Sequence, residues 1–123
     1  MMNVLIVDDD PTGNKLLRVH FELKGHTVFI AENGMEGLLF VDKSQPIDLI
    51  ISDVNMPVAN GYTFLMMVRR HPQYKDTPFI VYSASFTDHA HESLALELGA
   101  DRYVRKSGQI KPIIQAAEEL VNA

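Results

Sequence analysis

The chain has no cysteine, and that absence removes disulfide frameworks, thiolate-held zinc or iron–sulfur centres and thiol catalysis together. It also has no apolar stretch near the roughly 18 residues that a membrane helix needs. Met1-Met2-Asn3 runs straight into Val4-Leu5-Ile6-Val7 with no basic flank, so neither a signal peptide nor a membrane span is expected. Positive charge is scarce and scattered: 11 Lys and Arg stand against 16 Asp and Glu, for a formal net charge of -5. Nucleic-acid binding rests on phosphate neutralisation, so direct binding to DNA or RNA is not expected. With 46% hydrophobic and 22% charged residues in 123, the composition is that of a globular protein able to bury a full core. One cytoplasmic domain over residues 1–123 is the expectation.

What is present has the periodicity of an α/β chain. Val4 to Val7, Thr27 to Ala31, Ile47 to Ser52, Pro78 to Ser83 and Arg102 to Val104 are short runs rich in β-branched and aromatic residues, and they predict five strands. Leu16, Leu17, His20 and Phe21 form a helical stripe ended by Gly25, with Asp10 as N-cap and Pro11 in the first helical position. Further helices are predicted from about Gly34 to Asp42, from about Tyr62 to Arg70, from Thr87 or Asp88 to Gly99, and from about Gln109 to Val121. Strict strand–helix alternation calls for parallel strands with right-handed crossovers, hence an open sheet with helices on both faces. The third strand is nearly all apolar, as a central strand should be. The chain ends with its fifth helix, so no effector domain is expected within it.

Four apolar runs stop on polar residues of chosen chemistry: Asp8-Asp9, Asp53, Ser83 and Lys106. Ligands of open α/β sheets bind outside the carboxyl ends of the strands, where these residues converge. Two like charges about 4 Å apart cost on the order of 4 kcal/mol at an effective dielectric near 20, so gathered carboxylates call for a cation. With oxygen ligands alone a hard ion is expected, and Mg²⁺ fits best, holding one or two carboxylates and a phosphate oxygen. One carboxylate is then left as nucleophile, with the Lys106 ammonium and the Ser83 hydroxyl beside it. Singly each residue has a plainer reading. Asp8-Asp9-Asp10 suits any helix N-terminus, Asp53 could sit in a turn before Pro57, and Lys106 could be a solvated lysine; it is their coincidence at strand ends that makes a site.

Val7-Asp8-Asp9-Asp10-Pro11, Ile51-Ser52-Asp53-Val54-Asn55-Met56-Pro57 with Gly61, Val81-Tyr82-Ser83-Ala84, Gly99-Ala100-Asp101-Arg102-Tyr103 and Lys106 together resemble a response-regulator receiver domain. The kind is that found in two-component signalling and in single-domain chemotaxis regulators. The resemblance covers essentially the whole chain. It implies a three-layer flavodoxin-like (βα)5 fold with a parallel sheet in the order 2-1-3-4-5. It implies a signalling switch rather than a conventional enzyme. Asp53 would accept a phosphoryl group from a sensor histidine kinase, a histidine phosphotransfer protein or a small acyl phosphate. Asp8, Asp9, Asp53 and the backbone carbonyl of Asn55 would hold Mg²⁺ or Mn²⁺. Ser83 and Tyr103 would switch with the phosphoryl group, and Asn55 and Ser85 would tune its hydrolysis. Output would pass to a downstream protein through the fourth helix, fifth strand and fifth helix, or along a phosphorelay. The alternative within the family is a degenerate receiver that binds partners without being phosphorylated.

The family's lysine is normally followed by proline through a cis bond, whereas Ser107 and Gly108 follow Lys106 here. A cis bond before a residue other than proline costs about 2.5 to 4 kcal/mol, so a trans bond with a reshaped loop is expected in preference to a strained cis bond. Tyr103 also reads as a half-buried edge residue. Val19 and Leu23 flank the first helix's core stripe. They either widen its buried face or form an exposed patch for docking a kinase or phosphotransfer helix. His20 is expected to be a partly buried packing residue, with His71, His89 and His91 at the surface. A haloacid-dehalogenase-type enzyme would place its nucleophile after the first strand and need room for a cap domain. A flavodoxin-like carrier would need a hydroxyl-rich phosphate loop where Asp8 to Asp10 stand.

Overall fold

The computed structural model describes residues 1–43, 46–54, 61–84 and 89–122, with the side chains of residues 42 and 89–91 set aside. Strands and helices alternate along it: β1 (Asn3–Val7), α1 (Pro11–Leu23), β2 (Thr27–Ala31), α2 (Gly34–Asp42), β3 (Leu49–Ser52), α3 (Gly61–Arg70), β4 (Phe79–Ser83), α4 (His89–Glu97), β5 (Arg102–Arg105) and α5 (Lys111–Asn122). The strands pair in parallel in the order β2-β1-β3-β4-β5, the flavodoxin-like arrangement. The order reverses at β1, where Val7 lies opposite both Ala31 and Ser52, and this opens the crevice at the carboxyl ends.

Strand alternation divides the core in two. Val4 and Ile6 of β1, Leu49 and Ile51 of β3 and Ile80 of β4 pack with Leu17 and Phe21 of α1 and Ile113 and Ala117 of α5. Leu5, Val7, Ile50, Phe79 and Val81 face the other way, onto Val41 of α2, Phe64, Leu65 and Val68 of α3 and Ala95 of α4. Each central strand is thus buried on both sides, which explains the unbroken apolar run of β3.

The boundaries depart from expectation where the backbone hydrogen bonds go elsewhere. β3 begins at Leu49 rather than Ile47: Ile47 is buried, but the Asn3 side chain donates to the Pro46 carbonyl and the Asp48 side chain takes the Asn3 N–H, so regular pairing starts at Leu49, after the Asp48 N–H has met the Asn3 carbonyl at 2.8 Å. β4 begins at Phe79 because Pro78 has no N–H for the ladder, although its carbonyl accepts from Ile50. β5 runs one residue further, to Arg105, and α5 starts at Lys111 rather than Gln109. α4 ends at Glu97, and Thr87 and Asp88 lie outside the described residues. Leu16 is not a core residue: it is 49% exposed, and Asn14, Leu17 and Phe21 carry the buried stripe of α1. A rotation of about 100° per residue swings Leu16 away from the sheet when Leu17 points at it. Asp10 occupies the N-cap but makes no side-chain cap hydrogen bond. His20 is half-buried as expected. His71 is half-buried too, its ring 5.0 Å from that of Tyr74; the side chains of His89 and His91 lie outside the described set.

Candidate functional site

Three hydrogen bonds carry the parallel ladder one residue past the strand ends. Asp8 N–H donates to the Ala31 carbonyl at 3.0 Å, Asp53 N–H to Val7 at 2.9 Å and Lys106 N–H to Ser83 at 2.9 Å. Strand alternation therefore continues through all three residues and turns their side chains to the face covered by α1 and α5. Ser83 has the opposite parity, and so does Tyr103, which packs half-buried against the core beneath α2, α3 and α4. Ser83 and Tyr103 thus share one parity, and the ionic groups share the other.

Asp8 and Asp53 are buried, while Asp9 is exposed. One carboxylate oxygen from each of the three lies within 4.8 Å of the others. The Lys106 ammonium donates to Asp8 Oδ2 at 2.5 Å and to Asp53 Oδ2 at 3.3 Å. Backbone donors fix the carboxylates: Val54 N–H reaches Asp53 Oδ1 at 2.6 Å and Asp10 N–H reaches Asp8 Oδ1 at 3.0 Å. The Asn14 amide donates to the Asp8 carbonyl at 2.7 Å, tying α1 to the end of β1.

Burial raises the Asp8 pKa, and the Asp53 charge adds to it, against the hydrogen bond and charge of Lys106. Burial works to lower the Lys106 pKa, but the hydrogen bond and charge of Asp8, joined by Asp53, outweigh it and hold the ammonium above its usual value. Both directions follow from a cluster in which two buried carboxylates share one ammonium. The seated ammonium shows that the crevice accepts a cation, and the all-oxygen donor set suits a hard divalent ion. The residues fit Mg²⁺ or Mn²⁺.

Because the folded pKa of Asp8 lies above its ordinary 3.8, the folded chain binds more protons than the unfolded one between those values. Stability is therefore lost as pH rises through that window, and the loss persists at neutral pH. In the presence of a chelator, Asp8→Asn is expected to stabilise the chain at neutral pH by on the order of 1 kcal/mol. Thermal melts should show this difference closing in acid, and excess Mg²⁺ should raise the wild type more than the variant. A variant that melts lower at neutral pH would mean that the Lys106 pairing outweighs burial.

The Lys106–Ser107 peptide is trans, and Gly108 turns the following loop at φ 82°, a conformation that costs a side-chain-bearing residue about 1 kcal/mol or more. Val19 and Leu23 are exposed, at 45% and 81%, and Leu16 joins them. Asn55 and Ser85 lie outside the described residues. Sequence reasoning gave no role to Asn14 or Tyr82. The signal available for Tyr82 was its alternation with Ser83, which places it on the ionic face.

A family profile described as Response regulator receiver domain matches residues 4–118. The TorCAD operon transcriptional regulatory protein TorR of Escherichia coli O157:H7 is 30% identical over 119 residues, which are 97% of this chain and 50% of that protein. Response regulator SaeR of Staphylococcus aureus (strain USA300) is 36% identical over 106 residues, 86% of this chain and 44% of that one. The chain thus spans about half the length of these relatives. Among solved structures, chemotaxis response regulator CheY4 of Vibrio cholerae superposes with a TM-score of 0.90 at 30% identity, covering 98% of both chains. Response regulator TrrA of Thermotoga maritima, in complex with Mg(2+)-BeF, superposes with a TM-score of 0.84 at 29% identity, covering 98% of this chain and 99% of that one.

Proposed function

This chain belongs to the response regulator receiver domain family, and from that premise we propose that it is a phosphorylation-dependent switch that takes its phosphoryl group on Asp53. The observation that carries the reading is the Lys106 ammonium clasped between Asp8 and Asp53. An acceptor carboxylate beside a second acid and an ammonium supports this reading over a degenerate, unphosphorylated module.

The Asp53 carboxylate, oriented by the Val54 N–H, attacks phosphorus. A P–N bond of a phosphohistidine or a P–O bond of an acyl phosphate breaks, its electron pair leaves with the donor, and a mixed anhydride forms on Asp53. Asp8, Asp9 and Asp53 would hold a divalent cation, with the Asn55 backbone carbonyl as a further ligand, and the cation would neutralise charge on the phosphoryl oxygens. The likeness to TrrA, solved with Mg(2+)-BeF, supports Mg²⁺ in that role. Lys106 pairs with a phosphoryl oxygen and the Ser83 hydroxyl donates to another. Asn55 and Ser85, each two residues past a site residue, set the access of water to the anhydride. Tyr103 lies on the same sheet face as Ser83, so a shift of the two changes the surface around α4 and β5 and selects the bound form. The output partner is a protein docked on α4, β5 and α5, or the next member of a phosphorelay.

Incubation with acetyl phosphate and Mg²⁺ followed by intact mass tests the reading: wild type gains one phosphoryl mass, and absence of that gain overturns it.

The donor docks on α1. Leu16, Val19 and Leu23 form an exposed apolar strip, continuous at Leu16 with a cleft of about 300 Å³ that reaches Lys106 and Ile110. Leu23→Glu should slow transfer from a phosphohistidine protein about tenfold and leave labelling by acetyl phosphate unchanged. An unchanged rate from the protein donor removes α1 from the docking surface. No helix among the described residues is long and apolar enough to cross a membrane.

A further inference from the structure

The Lys106 ammonium has a third neighbour that carries no charge. Its Nζ lies 5.4 Å from the centroid of the Tyr82 ring, within the distance at which a cation is drawn to the negative face of an aromatic ring. The register explains the contact. Tyr82 lies opposite Val104, and Lys106 is the next residue of that parity on the same sheet face, the one covered by α1 and α5. Tyr82 is itself half-buried and packed with the core of that face, so the ring is fixed while the lysine stem can turn.

The carboxylates and the ring differ in one respect. A divalent cation entering the crevice competes with the ammonium for Asp8 and Asp53, but a hard cation has no use for the ring. Once the carboxylates are engaged, the ring is the partner that Lys106 keeps. Without it, a flexible four-carbon stem is free to carry the ammonium towards solvent. We propose that Tyr82 is the positioning residue for Lys106, holding its ammonium beside Asp53 when the carboxylates are otherwise occupied and so setting the rate of phosphoryl acceptance. The proposal rests on the phosphoacceptor reading of Asp53.

The test has one measurement without phosphoryl transfer and one with it. In metal-free protein, the ε-methylene protons of Lys106 are shifted upfield by the ring current in wild type and in Tyr82→Phe, and return towards the open-chain value in Tyr82→Ile. With acetyl phosphate and saturating Mg²⁺, Tyr82→Phe labels within about twofold of wild type and Tyr82→Ile roughly five- to tenfold more slowly. In a Lys106→Ala background the Tyr82→Ile change brings no further loss, because the two residues act as one unit.

An equal labelling rate in Tyr82→Ile and wild type overturns the proposal. An equal loss with and without Lys106 also overturns it, since the ring would then be serving the core alone. If Tyr82→Ile does not fold, Tyr82→pentafluorophenylalanine keeps the ring's shape and reverses the charge of its face; slower labelling supports the proposal and unchanged labelling overturns it. No label on wild type is a failure of the Asp53 reading instead. The metal-free shift then decides whether the ring holds the ammonium, and no difference between wild type and Tyr82→Ile sinks that claim by itself.

Discussion

Asp53→Asn is expected to leave a folded chain that takes up no phosphoryl group from acetyl phosphate or from a phosphohistidine donor. The amide is nearly isosteric with the carboxylate, and its oxygen can still accept from the Val54 N–H that now reaches Asp53 Oδ1 at 2.6 Å. It is not a nucleophile, so no anhydride forms. The ammonium of Lys106 keeps its shorter contact, 2.5 Å to Asp8, and the loss of one anion relieves crowding in the cluster, so failure to fold is not a route to the same result. Intact mass after incubation with Mg²⁺ and acetyl phosphate reads the outcome directly. Equal labelling of variant and wild type would place the acceptor elsewhere.

The second large effect is expected at a residue that makes no ionic contact. A methyl group added at Gly61 would stand 2.0 Å from the carbonyl oxygen of Asp53, 2.8 Å from the Cα of Val54 and 2.9 Å from the carbonyl carbon of Asp53. All three neighbours are backbone, so no side chain can swing aside. The first residue of α3 rests against the end of β3, and its N–H donates to the Val54 carbonyl at 3.2 Å. Gly61→Ala must push the helix off the strand or displace Asp53. A cost of about 3 kcal/mol or more is expected, lowering the midpoint of thermal unfolding by roughly 10 °C in a chain of this size. Labelling of the fraction that remains folded should also fall by about tenfold or more, since small displacements of a nucleophile carry large penalties. A variant that melts with the wild type would show that α3 can retreat at little cost.

These two residues differ in how far the chain by itself announces them. Asp53 is legible because its chemistry belongs to its residue type and its place at the end of an apolar run, and both are local properties. The same is true of Asp8, Asp9 and Lys106, and of the five strands, whose β-branched runs stand out against the helical stripes. Gly61 belongs to the family's motif, but nothing near it in the chain says that the backbone of Asp53 lies under its missing side chain. That contact joins two elements.

Errors of the sequence reading have the same origin. Leu16 reads as a core residue because an apolar residue beside Leu17 fits a wide helical stripe; only the docking of α1 on the sheet decides which flank is covered. Ile47 has the character of a strand residue, yet the Asn3 side chain takes the Pro46 carbonyl beside it and the Asp48 side chain takes the Asn3 N–H, and β3 starts later. Asp10 has the identity of an N-cap without its hydrogen bond.

From its residues alone, then, this chain determined the alternation of elements, the sheet that alternation requires, and the inventory of acids, hydroxyl and ammonium at the strand ends. These depend on periodicity and residue type, which act over a few positions. Tertiary structure decided that one ammonium serves two buried carboxylates, that burial outweighs this pairing at Asp8, that Ser83 and Tyr103 share the opposite parity, and that the Tyr82 ring lies beside the Lys106 ammonium. Each of these is a distance or a burial between strands far apart in sequence, and such quantities exist only once the register of the parallel sheet is set.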